Sequence, residues 1–180
     1  VCILADTITL KENNSNDIIK DNWIYIHDPQ STSIRMVIFN NWGDGMLKNK
    51  KQVWLGVEYF CNKNDSIWNK NEQELINLAT KDLTTIGILK KENILDGTTI
   101  KEEKAYPAYF GTYNQFKKIQ SYLNKFKNLY PIGRNGMHRY NNMDHSMLSA
   151  MTAVDNIAQN RETKDNLWIV NTEKEYHESK

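Results

Sequence analysis

The sequence predicts an α+β fold, an antiparallel sheet with amphipathic helices packed on one face, ending in a strand–turn–helix segment. Three observations predict it. Aromatic and β-branched runs follow one another across short polar loops in the first third of the chain, a pattern that favours antiparallel pairing. Helical periodicities then replace the alternating ones, the first opened by a capping-box pair. A glycine turn at 133–136 finally separates a short apolar run from a third helical pattern.

The elements follow in order. Val1–Leu4 is apolar and reads like the middle of something larger, and Lys11–Asp17 is an Asn-rich surface loop. Trp23–His27 is a strand stopped by Asp28-Pro29, Arg35–Asn40 a second strand, and Trp42–Lys51 a glycine-containing loop. Gln52–Cys61 is the strongest strand pattern in the chain. Asn71 caps a helix with Glu74 three residues on; Leu75, Ile76, Ala79, Leu83 and Ile86 share one face, and Gly87 ends it. Ile94–Ala108 reads as extended, broken at Asp96-Gly97 and Pro107. Thr112 caps a second amphipathic helix with an apolar stripe of Phe116, Ile119, Tyr122, Leu123 and Phe126. Leu129–Ile132 is a short strand. A helix over His145–Gln159 follows, with Met147, Leu148, Met151 and Val154 facing inward. Leu167–Val170 is an apolar knot that docks, in a tail that frays at its end. By role the chain divides into 1–128 (sheet and helices of substrate-binding type), 129–160 (the strand–turn–helix) and 161–180 (the tail).

Composition narrows the function. A chain of 180 residues with five Trp and nine Tyr can bury a real core. A formal net charge of +1, with basic and acidic residues interspersed, gives no field for nucleic acid or an acidic membrane. The two cysteines, Cys2 and Cys61, make no disulfide framework or metal spacing, and a cytoplasmic setting is expected. No apolar run reaches the roughly 20 residues that span a bilayer. The dinucleotide-binding glycine fingerprint is missing, so the chain is either a domain of another kind or a piece of a longer one.

The stretch dense in chemistry is Gly133-Arg134-Asn135-Gly136-Met137-His138-Arg139-Tyr140-Asn141-Asn142-Met143-Asp144-His145-Ser146-Met147. A glycine turn followed by a helix N-terminus gathers unpaired backbone N–H groups and a partial positive charge at one place. Such a place holds an anion, or a ring that becomes anionic, as a flavin does on reduction. Gly133 and Gly136 admit a flat ring, Ser149, Ala150 and Ala153 keep part of the helix slim, and Asp144 either caps the helix or binds a ribityl hydroxyl.

This run resembles the flavin-contacting C-terminal motif of the amine-oxidase-like flavoproteins, in their UDP-galactopyranose-mutase-like branch. DNWIYIHDP, WLGVEYFC, KAYPAY and LWIVNTEKEYHE resemble the same branch, so the likeness covers nearly the whole chain. It implies that Gly133, Arg134 and the backbone of Met143 contact the flavin and that Tyr140 faces substrate; Asn135, Gly136, Asn142, Asp144 and His145 beside them are expected on the flavin side, and His138 and Arg139 on the substrate side. His138 stands where the mutases carry a Tyr and Asn142 where they carry an Asp; both departures fall on the substrate side, which leaves mutase and oxidase chemistry open. The resemblance also implies FAD in the full-length protein and none on this chain alone. It implies an N-terminal dinucleotide-binding half as partner, a nucleotide sugar or other small molecule as substrate, and a role in bacterial surface-polysaccharide or lipopolysaccharide synthesis. An inactive chain that self-associates as a homodimer through exposed apolar surface is expected.

Plainer readings stand beside these. The glycines also suit any strand-to-helix turn, the arginines surface ion pairs, and the methionines core packing. His138 and His145 lack a third ligand at metal spacing, and no catalytic triad or carboxylate pair can be assembled, so no catalytic residue is assigned. The alternative function is a stand-alone module whose aromatic-rich sheet grips carbohydrate or a partner protein.

Overall fold

A computed structural model describes residues 1–12 and 17–171, and the chain divides into two compact units, Val1–Glu103 and Lys104–Lys180. Residues 13–16 of the Asn-rich loop, and the end of the tail expected to fray, lie outside the described residues.

In the first unit β1 (Cys2–Ala5), β2 (Trp23–Tyr25), β3 (Arg35–Ile38), β4 (Val53–Glu58) and β5 (Ile94–Thr98) form one antiparallel sheet in the order β2-β3-β4-β1-β5. The expected antiparallel α+β class is observed. The opening apolar run becomes an inner strand, pairing Cys2 with Gly56 on one side and with Thr98 on the other. Several strands are shorter than their sequence patterns, for local reasons. Past Ile38 the chain turns into one 3-10 turn, Phe39–Trp42, and the Asn40 carboxamide takes over the ladder. Its Nδ2 donates to the Gln52 carbonyl at 2.8 Å and its Oδ1 accepts from the Trp54 N–H at 3.1 Å. Past Thr98 the Thr99 N–H donates to Glu72 Oε1 at 3.1 Å, so the extended run does not continue as strand to Ala108.

Register decides what each face carries. Ile3, Met36, Ile38, Leu55 and Val57 are all nearly inaccessible and form the core with Ala79 and Leu83 of α1 (Glu72–Thr85). Each such aliphatic side chain contributes about 1.5–3 kcal/mol on burial. The expected capping box is present: the Glu74 N–H donates to Asn71 Oδ1 at 2.9 Å and the Asn71 N–H to Glu74 Oε2 at 2.8 Å. Gly87, at φ 75°, ends the helix as expected. On the inner side of α1, buried Asp82 accepts from the N–H groups of Thr32 (3.1 Å) and Ser33 (3.0 Å) and from the Tyr59 hydroxyl (3.0 Å), tying the loop between β2 and β3 to the helix. On the opposite face of the sheet Gly56 lets the Phe39 ring approach to 3.0 Å of where a Cβ would sit. There the Arg35 guanidinium donates to Glu58 at 3.0 Å and 2.5 Å and lies within 5.9 Å of the ring centres of Trp23, Tyr25 and Phe60.

The second unit is helical: α2 (Phe116–Leu123), the single turn α3 (Gly133–Gly136), α4 (Met143–Ala158) and the single turn α5 (Asp165–Trp168). Three expectations are corrected here. Thr112 does not cap α2, because a 3-10 turn over Gly111–Gln115 precedes it. Residues 129–132 run without a ladder partner, so the turn at 133 follows extended coil rather than a strand. The third correction is the largest. Met147, Leu148, Met151 and Val154 of α4 face outward, at 61%, 49%, 62% and 63% exposure, while Ser149, Ala153 and Asn156 face inward. The inward face is held by polar contacts: Ser149 Oγ accepts the Gly133 N–H at 2.9 Å, and Asn156 and Asn166 pair reciprocally at 2.9 and 2.8 Å. The apolar knot docks through Leu167 and Trp168, with Trp168 Nε1 donating to Asn124 Oδ1 at 2.8 Å.

Candidate functional site

The site is the turn that carries the chain from α3 into α4. Gly133 adopts φ 70°, a left-handed conformation in which L side chains are strained, although no atom lies within 4 Å of where its Cβ would be. Its position is fixed by the bond to Ser149, whose own hydroxyl donates to the Ser146 carbonyl at 2.8 Å. Gly136 instead sits 3.4 Å, measured from an ideal Cβ, from the Pro131 backbone. His138 closes α3 at φ 46°, a left-handed position usually held by glycine or asparagine.

The predicted residues separate into three groups. Arg134 and Tyr140 come together: the guanidinium carbon lies 4.6 Å from the Tyr140 ring centre and 5.4 Å from that of Tyr106, and the two rings stack at 5.4 Å. Arg134 also donates to the carbonyls of Asn141 (3.0 Å) and Ala105 (3.2 Å), so it locks the turn. Tyr140 is buried, and its N–H donates to the Tyr109 hydroxyl; burial above all pushes that phenol's pKa up. Arg139 points elsewhere, donating to the carbonyls of Trp168 (2.5 Å) and Asn171, and Asn171 in turn donates to the Tyr140 carbonyl at 2.7 Å. His138 is exposed beside Tyr113 and Phe116, 5.7 and 5.9 Å between ring centres. Asn135, Gly136, Asn142, Met143 and Asp144 are exposed as well.

The electrostatics concentrate at the start of α4. Asn142 is the N-cap residue, but its side chain makes no capping bond, and Asp144 lies in the first turn rather than at the cap. Among the described residues nothing accepts from the N–H groups of Met143, Asp144 or His145, leaving the positive end of a four-turn helix open. Beside it two buried atoms lack hydrogen bonds. Asn141 is only 2% exposed; its Nδ2 reaches Met137 Sδ at 3.3 Å, while its Oδ1 has no partner. His145 Nδ1 lies 3.4 Å from Asp144 Oδ1 without hydrogen-bond geometry. A buried unpaired polar atom costs about 1–3 kcal/mol, and a native fold keeps such atoms where something else completes them. Sequence reasoning missed Asn141; its type is ordinary in a polar run, and only its burial sets it apart. A row of free N–H donors at a helix N-terminus fits the edge of a ring that carries acceptors, as a flavin pyrimidine ring does.

The chain is similar in fold to a solved structure described as the crystal structure of reduced UDP-galactopyranose mutase. The TM-score is 0.67 at 22% identity, covering 97% of this chain and 37% of that one. The likeness shows a shared fold, and it falls on the family that the 133–147 motif resembles. No family model matches the chain, and no curated protein matches it. No described helix is long and apolar enough to cross a membrane, and no group of three or more described His, Cys, Asp or Glu side chains is placed to hold a metal ion.

Proposed function

We propose that this chain is the C-terminal, flavin-facing part of an FAD-dependent enzyme of the UDP-galactopyranose-mutase-like or amine-oxidase-like kind. It acts on a nucleotide sugar in bacterial surface-polysaccharide or lipopolysaccharide metabolism, in the cytoplasm. The observation that carries this reading is the open N-terminus of α4 beside the unpaired Asn141 Oδ1, in a chain whose fold is similar to that of the mutase over 97% of its length. The same likeness does not favour the stand-alone binding module.

Gly133, Arg134, Asn135, Gly136, Asn142, Met143, Asp144 and His145 form the flavin side. The N–H groups opening α4 would balance negative charge on a bound ring edge, the unpaired Asn141 Oδ1 would offer an acceptor there, and Arg134 clamped on Tyr140 keeps the turn in place. Bound flavin supplies either a nucleophilic ring nitrogen for a sugar's anomeric carbon or a hydride acceptor. On the substrate side His138 is the exposed residue, while Arg139 and Tyr140 act by fixing the turn beneath it. The rest of the enzyme supplies the dinucleotide-binding half, which covers the outward stripe Met143, Met147, Met151 and Val154. Alone, the chain binds no flavin, is inactive, and pairs with itself through that stripe.

The test uses the protein of the complete reading frame to which the chain belongs. Wild-type protein is expected to be yellow, to release FAD on denaturation, and to convert UDP-galactopyranose only when reduced if it is a mutase. Asn141→Leu removes the acceptor and is expected to lower FAD retention at least tenfold, whereas Gly133→Ala, strained at φ 70° by about 1–2 kcal/mol, lowers it less. A full-length protein that is colourless and takes up no added FAD refutes the reading.

A further inference from the structure

A second site lies at the other end of α4, and nothing in the flavin reading requires it. Asn124–Tyr130 and the chain from Asn156 to Lys164 line an open pocket of about 790 Å³. Its charged lining is Lys125, Lys127, Arg161 and Lys164 against the single carboxylate Glu162. The C-terminal end of α4 adds a fraction of a negative charge, roughly half a unit, so the cavity stays clearly positive.

One of these cations is built into the fold. Lys164 is 4% exposed, its ammonium donates to the carbonyls of Phe126 (2.5 Å) and Leu129 (2.7 Å), and it lies 4.6 Å from the Tyr130 ring centre. No described carboxylate pairs with it, and an ammonium has three donors, so one remains after the two carbonyls are served. A buried cation held by neutral groups calls for an anion nearby. Lys127 and Arg161 stand exposed at the rim, and their side chains make no described hydrogen bond or ion pair. Tyr130 and Ile157 add a flat and an apolar wall beside the cations.

We propose that this cavity binds a phosphate-bearing ligand, with Lys164 as the buried anchor and Lys127 and Arg161 as the rim that draws the anion in. Residues 143 and 157 are separated along α4 by about 21 Å at 1.5 Å per residue, so the bound phosphate lies well away from the flavin-facing turn. The site therefore stands or falls independently of the proposed function.

The experiment is a pyrophosphate titration of the ¹⁵N-labelled chain at about 150 mM salt, where exposed charges are screened beyond roughly 8 Å. Saturable amide shifts are expected within 124–130 and 156–164. The double variant Lys127→Glu/Arg161→Glu is expected to weaken binding at least tenfold, and Lys81→Glu on α1 to leave it unchanged. A parallel sedimentation with phosphatidylglycerol vesicles, against phosphatidylcholine ones, separates the sources: binding abolished by the double variant assigns a lipid headgroup, and pyrophosphate binding alone assigns a soluble phosphate. Shifts that do not saturate, that centre on 143–145, or that survive the double variant unchanged overturn the proposal, as does the absence of binding in both arms. Retained amide dispersion in the double variant guards against misreading an unfolded protein.

Discussion

Replacing Met147 and Met151 by Ala separates a helix that packs through its apolar stripe from one that presents it. In the structure both side chains are about three-fifths exposed, at 61% and 62%. Full burial of a Met contributes about 1.5–3 kcal/mol, so the remaining two-fifths contribute about 0.6–1.2 kcal/mol each, and the retained Cβ lowers this further. Ala is also the better helix former, by a few tenths of a kcal/mol. The double variant is therefore expected to lose less than about 2 kcal/mol. Two core Met→Ala changes would instead lose about 4–10 kcal/mol together. The assay is urea unfolding of the isolated chain followed by NMR intensities of amides in 143–158, which report the helical unit itself. Sedimentation velocity on the same samples is expected to show less self-association in the variant, because the exposed apolar area falls. A loss above about 3 kcal/mol would refute the outward orientation of α4.

Two other consequences concern the sheet unit. Asp82→Ala strands the buried Ser33 N–H and the Tyr59 hydroxyl together with the Thr32 N–H, and is expected to cost about 3–5 kcal/mol in urea unfolding; a loss below 1 kcal/mol would show that the three bonds are replaceable. Tyr59 also sets a pH dependence: burial, then the neighbouring Asp82 charge, raises its phenol pKa far above the ordinary 10.0, so above about pH 10 the unfolded chain loses a proton that the folded chain keeps. Stability should fall there by about 1.4 kcal/mol per pH unit from this group, and Tyr59→Phe should flatten that part of the slope; an unchanged slope would exclude the link.

Local chemistry made some of these features legible and tertiary context hid the others. The capping box at Asn71 and Glu74 and the stop at Gly87 were readable because side chains and backbone a few residues apart decide them. The antiparallel sheet was readable from strands separated by short loops. The inner strand Cys2–Ala5 was not, since four apolar residues without a preceding turn give no strand signal of their own; their pairing with β4 and β5 is decided some fifty and ninety residues away. The early end of β3 depended on the Asn40 carboxamide finding β4, which no propensity encodes. At the site, the left-handed Gly133 could be expected from its residue type, whereas the internal use of Arg139 depends on a tail reached from twenty-nine residues away.

The reversal of α4 shows where pattern reading stops. A hydrophobic stripe identifies the face a helix buries in its finished assembly, and it carries no information about which chain does the burying. Here the inward face is small and polar, and it is fixed by specific bonds: Gly133 to Ser149, Asn156 to Asn166. Those bonds lock the helix's rotation, so the stripe Met143, Met147, Met151 and Val154 cannot turn inward without leaving buried donors unpaired. Asn141, with its unpaired acceptor, directly precedes the Asn142 N-cap of this same helix. An open apolar stripe and an open polar helix end on one element are best explained together, by a single neighbour that covers the stripe and a ligand that completes the end. Under the proposed function, a flavin held between this chain and a further part of the enzyme would supply both.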